Sequence, residues 1–314
     1  MNDILCLVIP CYNEEAVLPE TAKRLVSKME KMIAEDFISE DSKICFVNDG
    51  SKDHTWKIIE ELHRKTPMIV GIKISRNVGH QNALMAGLKT VKEFADMVIS
   101  LDADLQDDIE VLDQFVQEFK NGCEVVYGVR NSRKKDSHFK RFTAEGFYKM
   151  MSLFGCELVF NHADYRLMGK KSLEALEEYK EVNVFLRGII PMLGFKTGSV
   201  TYGRKERFAG ESKYPLKKMV AFALEGITSL SIKPIKMIIS LGALFFVISI
   251  CILIYILIRH FSGQTVSGWT SLAISIWAIG GLQLLAIGVV GEYIGKVYLE
   301  TKNRPRYIIE KTLF

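Results

Sequence analysis

Two acids one residue apart, Asp102 and Asp104, closely follow the apolar run Met97-Val98-Ile99. Such a run reads as a buried strand, and carboxylates just beyond its carboxyl end contribute little to packing. They suit a hard divalent cation held through oxygen. Mg²⁺ or Mn²⁺ joins protein carboxylates to substrate phosphates in this way. The pair therefore points to a phosphorylated donor, and neither a helix cap nor a turn requires both acids.

The elements that must position this pair alternate through the amino-terminal half. Strand candidates are Leu5–Ile9, Ile44–Val47, Ile69–Ile74, Met97–Leu101 and Glu124–Tyr127. Helices are expected near Ala16–Met32, Thr55–Arg64, Gln81–Lys92 and Ile109–Lys120. The alternation predicts an α/β fold, a mostly parallel sheet with helices on both faces. Ligands of such sheets bind beyond the carboxyl ends of the strands. Polar clusters fall there: Pro10-Cys11-Tyr12-Asn13-Glu14 after the first strand, Asn48-Asp49-Gly50-Ser51 after the second, and Asp102-Ala103-Asp104 after the fourth. Three clusters converging on one edge suggest a site.

Several of these residues also have plainer roles. Asp49-Gly50-Ser51 suits a turn and Asp53 a helix cap. Asp107 and Asp108 precede Ile109-Glu110 and read as caps rather than ligands. Glu14 and Glu15 favour a helix amino terminus. His80, after Gly79, reads as part of a turn.

Composition excludes some classes. Charged residues at 25% and hydrophobic residues at 48% describe an ordered chain. Its 314 residues allow one large or two ordinary domains. A net charge of +4 is too mild to argue for a nucleic-acid partner. The six cysteines form no Cys-x-x-Cys pair, so free thiols in a reducing compartment are expected, not a disulfide frame or zinc site. Met1-Asn2-Asp3 leads into a strand-like segment with no basic region, and no signal peptide is expected.

The carboxyl-terminal half carries membrane character. Met237–Ile258 contains no charged residue and neither does Trp269–Val290, each near the roughly 20 residues a spanning helix needs. The short link Arg259–Gly268 makes them a hairpin. Lysines and arginines flank its outer ends, whereas the link holds only Arg259 and His260. The positive-inside rule then places both termini and the α/β domain in the cytoplasm. Arg130, Arg133, Lys134, Lys135, Lys140 and Arg141 precede an aromatic run from Phe142 to Phe154, which reads as an interfacial helix near 139–154. Arg204–Tyr214 sets cations around Gly210, a pattern suited to phosphate. The expected organisation is a catalytic domain over 1–212, a juxtamembrane segment 213–234, two spans within 235–295 and a cytoplasmic tail 296–314. Gly291 and Gly295 form a small-residue pair compatible with a homo-oligomer.

Five motifs stand in order: Val8-Ile9-Pro10-Cys11-Tyr12-Asn13-Glu14-Glu15, Val47-Asn48-Asp49-Gly50-Ser51-Lys52-Asp53, Arg76-Asn77-Val78-Gly79, Asp102-Ala103-Asp104-Leu105-Gln106 and Ala163-Asp164-Tyr165-Arg166-Leu167. Together they resemble the GT-A family 2 glycosyltransferases that charge a polyprenyl phosphate. Arg204–Tyr214 followed by two membrane runs resembles the bactoprenol (undecaprenyl-phosphate) glucosyltransferase branch, related to dolichyl-phosphate mannose synthases. One departure is Asn48-Asp49, where many relatives carry two acids.

The resemblance implies a GT-A catalytic domain using a nucleotide sugar, a polyprenyl phosphate lipid and Mg²⁺ or Mn²⁺. It implies that Pro10, Tyr12, Glu14 and Asp49 hold the base and ribose, with Asn13, Ser51, Ala103 and Gln106 also on the donor side. Asp102 and Asp104 would hold the metal and diphosphate, with Asp104 counted among the catalytic residues. Asp164 would lie near the reacting centre beside Arg166, as a base or as an orienting group. Arg130, Arg133, Arg204, Arg207, Ser212 and Lys213 would face the acceptor phosphate or the diphosphate. UDP-glucose is the first donor expected, with UDP-N-acetylglucosamine, UDP-galactose and GDP-mannose as alternatives. A processive synthase is disfavoured because no Gln-x-x-Arg-Trp run occurs. A transporter is disfavoured by the lack of intramembrane charge. A non-enzymatic nucleotide-sugar-binding scaffold is the remaining alternative, and loss of the metal acids would be its mark.

Overall fold

Strand β1 (Leu5–Cys11) is apolar almost throughout because both its faces are covered. Leu5, Leu7 and Ile9 enter one core, and Cys6 and Val8 enter the other, following the two-residue period of a strand. The computed structural model describes residues 2–130, 162–181, 185–203, 233–242, 244, 247, 251, 254 and 269–314.

After β1 come α1 (Leu18–Ala34), β2 (Lys43–Asn48), α2 (Thr55–Lys65), β3 (Ile69–Ile74), α3 (His80–Val91) and β4 (Met97–Ser100). A 3₁₀ turn at Ile109–Val111 leads into α4 (Leu112–Lys120) and β5 (Val125–Arg130). Then follow β6 (His162–Gly169), α5 (Lys170–Glu177), α6 (Leu186–Met192), β7 (Thr197–Tyr202), α7 (Trp269–Thr301) and β8 (Ile309–Leu313). One core lies under α1, α2 and α4 through Leu25, Met29, Ile59 and Phe115. The other lies under α3, α5 and α6 through Leu84, Leu88, Leu173 and Ile189.

The sheet order is β7-β5-β6-β4-β1-β2-β3-β8. β1, β2, β3 and β4 are joined by parallel pairings, as are β5 and β7. β6 runs antiparallel to β4 and β5, and β8 antiparallel to β3. The expected α/β sheet is therefore present with two antiparallel insertions.

The sequence reads 296–314 as a tail. In the structure α7 continues to Thr301, and Ile309–Leu313 closes the sheet edge on β3. Lys73 and Lys311 face each other in that register, and each finds an acid: Lys73 bonds Glu310 at 2.7 Å and Lys311 bonds Glu60 at 2.8 Å. Covering an edge removes a row of unpaired backbone groups.

Helix α7 has 33 residues, about 50 Å at 1.5 Å per residue. Within it Ile279–Thr301 is the one helix among the described residues long and apolar enough to cross a membrane. Leu284 and Ile287 are 73% and 66% exposed, so these apolar side chains join no core of the domain. Residues 233–242 are also helical, with Met237, Ile239 and Leu241 exposed.

Candidate functional site

The carboxyl ends of the parallel strands meet at one edge, and their loops are laced together there. Asn13 N–H donates to Ser51 Oγ at 3.0 Å, Lys52 N–H donates to Asn13 Oδ1 at 2.9 Å, and Glu14 N–H donates to Thr55 Oγ1 at 3.0 Å. Asp53 accepts from Thr55 and from Glu15 N–H, so it has the turn-capping role its position suggests. Asp49 ties in a third loop, accepting from Val78 N–H at 2.8 Å and Gly79 N–H at 3.1 Å. Burial raises the Asp49 pKa even though these two bonds and His80 favour its charged form.

Gly50 permits that closure. Its φ is +62°, and a Cβ there would lie 2.5 Å from the Arg76 carbonyl carbon and the Asn77 nitrogen. Gly50→Ala is expected to lower stability by about 2–4 kcal/mol, from left-handed strain plus a clash with rigid backbone. The midpoint of urea unfolding measures this. A loss well under 1 kcal/mol (on the order of a tolerated surface change) would show that the loops yield.

The centre of the edge follows from the antiparallel pairing of β4 with β6. Met97 faces Gly169 and Ser100 faces Arg166. Continuing that register two residues sets Asp102 opposite Asp164. Ser100 Oγ donates to the Asp164 carbonyl at 2.6 Å and holds the two chains together. Asp164 is gripped by two guanidiniums: Arg166 Nη2 at 2.6 Å, and Arg187 through Nε at 3.2 Å and Nη2 at 3.0 Å. Burial disfavours the carboxylate, but Arg187, Arg166 and His80 outweigh it and hold the Asp164 carboxyl well below the usual range. Arg166 is only 1% exposed, and its Nε and Nη1 have no hydrogen-bond partner among the described residues.

Asp102 has the opposite character. With 40% of its side chain open, its carboxyl is nevertheless pushed up to about 6 by surrounding protein, with Asp107, Asp164 and Asp104 adding to the rise and His80 opposing it. His80 opens α3 rather than sitting in a simple turn. Its Nε2 lies 3.9 Å from Asp102 and 3.8 Å from Asp164, with no hydrogen bond among the described residues. The acid loop is held by Thr21 Oγ1, which donates to Ala103 O at 2.7 Å, and by Gln106 N–H, which donates to Asp104 Oδ1 at 3.1 Å. Leu105 takes a φ of +56° to make the turn.

Asp107 corrects the reading of Asp107 and Asp108 as paired caps. Asp108 does cap the 3₁₀ turn, accepting from Glu110 N–H. Asp107 is instead 4% exposed and accepts from Tyr202 OH at 2.6 Å. Arg130 donates to that hydroxyl at 3.3 Å and lies 3.5 Å from Asp107. Arg130 and Tyr202 are register partners at the ends of β5 and β7, so the sheet delivers both to the same edge.

Among the expected site residues, Pro10, Tyr12, Asn13, Glu14, Asp49, Ser51, Asp102, Ala103, Asp104, Gln106, Arg130, Asp164 and Arg166 all lie on strand ends or loops of this edge. Arg133, Arg204, Arg207, Ser212, Lys213 and the 139–154 helix lie outside the described residues. Arg187, Tyr202, Asp107 and His80 are the additions from the structure. No three metal-ligating side chains converge among the described residues. Two oxygen donors in a crowd of like charge nevertheless fit Mg²⁺ or Mn²⁺ completed by substrate phosphates.

The strand ends of this mixed α/β sheet thus gather acids and arginines at one edge, and the family of the chain follows from its relatives. The chain belongs to Glycosyl transferase family 2, which matches residues 6–177. It is 53% identical over 311 residues to the uncharacterized glycosyltransferase YkoT of Bacillus subtilis (strain 168), covering 99% of this chain and 92% of that one. It is 40% identical over 312 residues, 98% of each chain, to the SfII prophage-derived bactoprenol glucosyl transferase of Shigella flexneri. Among solved structures it is similar to glucosyl-3-phosphoglycerate synthase from Mycobacterium tuberculosis in complex with Mn²⁺, UDP and glucosyl-3-phosphoglycerate. That likeness has a TM-score of 0.47 and 14% identity, covering 73% of this chain and 78% of the other. The family expected from the five motifs is thus borne out.

Proposed function

We propose that this chain is an inverting hexosyltransferase that moves a sugar, glucose from UDP-glucose in the first instance, onto polyprenyl (undecaprenyl) phosphate at the cytoplasmic membrane face. The observation that carries the reading is the state of Asp164. An acid fixed as carboxylate by Arg166 and Arg187 is a poor proton acceptor. So weak a base at this position suits a nucleophile that arrives ionised. A phosphate monoester, with a second pKa near 6, does so at neutral pH; a sugar hydroxyl does not.

In this mechanism a phosphate oxygen of the lipid attacks the anomeric carbon. The bond to the nucleotide diphosphate breaks with its electron pair leaving on the diphosphate, and configuration inverts. Asp164 orients the sugar or acceptor. Asp102 and Asp104 would hold a divalent ion, which when bound supplies counter-charge to the leaving diphosphate. Tyr12, Glu14 and Asp49 border the space for base and ribose, and Arg130 faces the incoming phosphates. The name of the 40%-identical relative supports glucose and a bactoprenol acceptor.

The path of the chain supports two membrane crossings. β7 precedes the apolar region and β8 follows it, and both belong to one sheet. A chain that leaves and re-enters the same domain crosses a bilayer an even number of times. With α7 as one crossing, the apolar run 237–258 supplies the other, and both termini are cytoplasmic. Gly291 and Gly295 form a small-residue pair on α7, the feature on which a homo-oligomer is proposed.

Membranes carrying the protein, supplied with polyprenyl phosphate, Mg²⁺ or Mn²⁺ and radiolabelled UDP-glucose, are expected to yield an organic-extractable labelled lipid. Label from UDP-N-acetylglucosamine, UDP-galactose or GDP-mannose instead would reassign the donor. No label from any of them would favour a nucleotide-sugar-binding scaffold.

A further inference from the structure

A cavity of about 500 Å³ lies apart from the strand-end site, between α3, α5 and the segment that leaves α7. Its wall includes a methionine and three leucines of α3 and α5, and its charge is one-sided. Lys89, Lys92, Lys180, Arg304 and Arg306 line it with one carboxylate, Glu177, while Glu93 lies 3.8 Å from Lys92 and Glu300 and Glu181 act on Arg306 from outside the wall. Glu177 is engaged by Lys89 at 2.7 Å and by Lys92. Arg306 donates to the Tyr179 carbonyl at 2.6 Å. Lys180 and Arg304 are exposed and have no ion pair among the described residues.

We propose that this cavity binds the phosphate headgroup of an anionic bilayer phospholipid. The proposal rests on reading α7 as a membrane span. Arg304 follows Thr301, the end of the candidate span, by three residues, at most about 10 Å of chain. The headgroup layer extends roughly 5–8 Å beyond the hydrocarbon on each side. The attraction of an anionic surface decays over a further 8 Å or so. With α7 taken to leave the hydrocarbon near Thr301, rather than near Val290 where its uncharged run ends, the cations stand at the depth of lipid phosphates. Arginine presents a planar fork to phosphate oxygens and lysine a point charge, while the leucine wall accepts the start of the acyl chains. A bound lipid would clamp residues 303–307, and through them β8, against the catalytic sheet.

The test uses the full chain in nanodiscs of phosphatidylcholine alone or mixed with phosphatidylglycerol. Amide hydrogen exchange is read over 303–307. Phosphatidylglycerol is expected to slow exchange there about tenfold, as for a site about 90% occupied. The Lys180→Ala/Arg304→Ala double variant is expected to melt as the parent does and to lose the slowing. Inorganic phosphate added to phosphatidylcholine discs is expected to leave exchange unchanged. Equal slowing in the double variant overturns the site, and equal slowing by inorganic phosphate overturns the bilayer as source. A chain that enters discs but ignores phosphatidylglycerol overturns this proposal alone. One that fails to enter them overturns the membrane reading as well.

Discussion

Asp102→Asn and Asp104→Asn are each expected to cut sugar transfer by on the order of 10²–10³, the usual cost of losing one preorganised electrostatic contact to a transition state. The two acids occupy a loop held by Thr21 and by the turn at Leu105, so the amides should keep its shape and remove charge alone. Mn²⁺ binding provides a second readout. Folding raises the Asp102 pKa from 3.8 to about 6. A raised value means that protons compete with the ion below pH 6, so Mn²⁺ affinity should fall about tenfold between pH 7 and pH 5. For the same reason, ionising Asp102 weakens the apo fold as pH rises from 3.8 to about 6, and a bound cation offsets that loss. Paramagnetic resonance titration of Mn²⁺ measures the affinity. Unchanged affinity and unchanged pH dependence in Asp102→Asn would remove this acid from the metal site.

Asp164→Asn should lower turnover by a similar factor, on the order of 10²–10³, and equally from pH 5.5 to 8.5. Its carboxyl is depressed on folding, so its contribution to stability is complete above the usual carboxylate pKa. That contribution disappears only as pH falls through the still lower folded value. No ionisation of Asp164 should therefore appear in the pH–rate profile. The variant leaves the Arg166 guanidinium, 1% exposed, without its nearest counter-charge. Loss of one partner of a buried pair costs about 3 kcal/mol or more, so assays belong well below the variant's melting temperature. Activity in Asp164→Asn that recovers steeply with rising pH would mean that a required base has been lost. The hydroxyl-acceptor reading would then replace the phosphate one.

These two predictions draw on different levels of the molecule. Asp102 and Asp104 are legible as a pair because their context is local: an apolar run, then polar residues that no cap or turn explains. The same holds for the loops at Tyr12 and Asp49. His80 follows a parallel strand and belonged with them by the same rule. Asp107 was less legible, since Asp107 and Asp108 look alike as caps. The turn at Leu105 determines which one points inward.

The sequence alone determined the α/β class, the strand ends that gather the site, the acidic pair and the apolar carboxyl-terminal runs. Each of these depends on neighbours within a few residues, where period and residue type act directly. Only the tertiary structure decided that Arg187 would grip Asp164, that Tyr202 would bond Asp107, and that Ile309–Leu313 would pair with β3. Those contacts join residues 23, 95 and more than 200 positions apart. Contacts at that range exist only after two cores have packed on the sheet and set its register, and no local pattern encodes them.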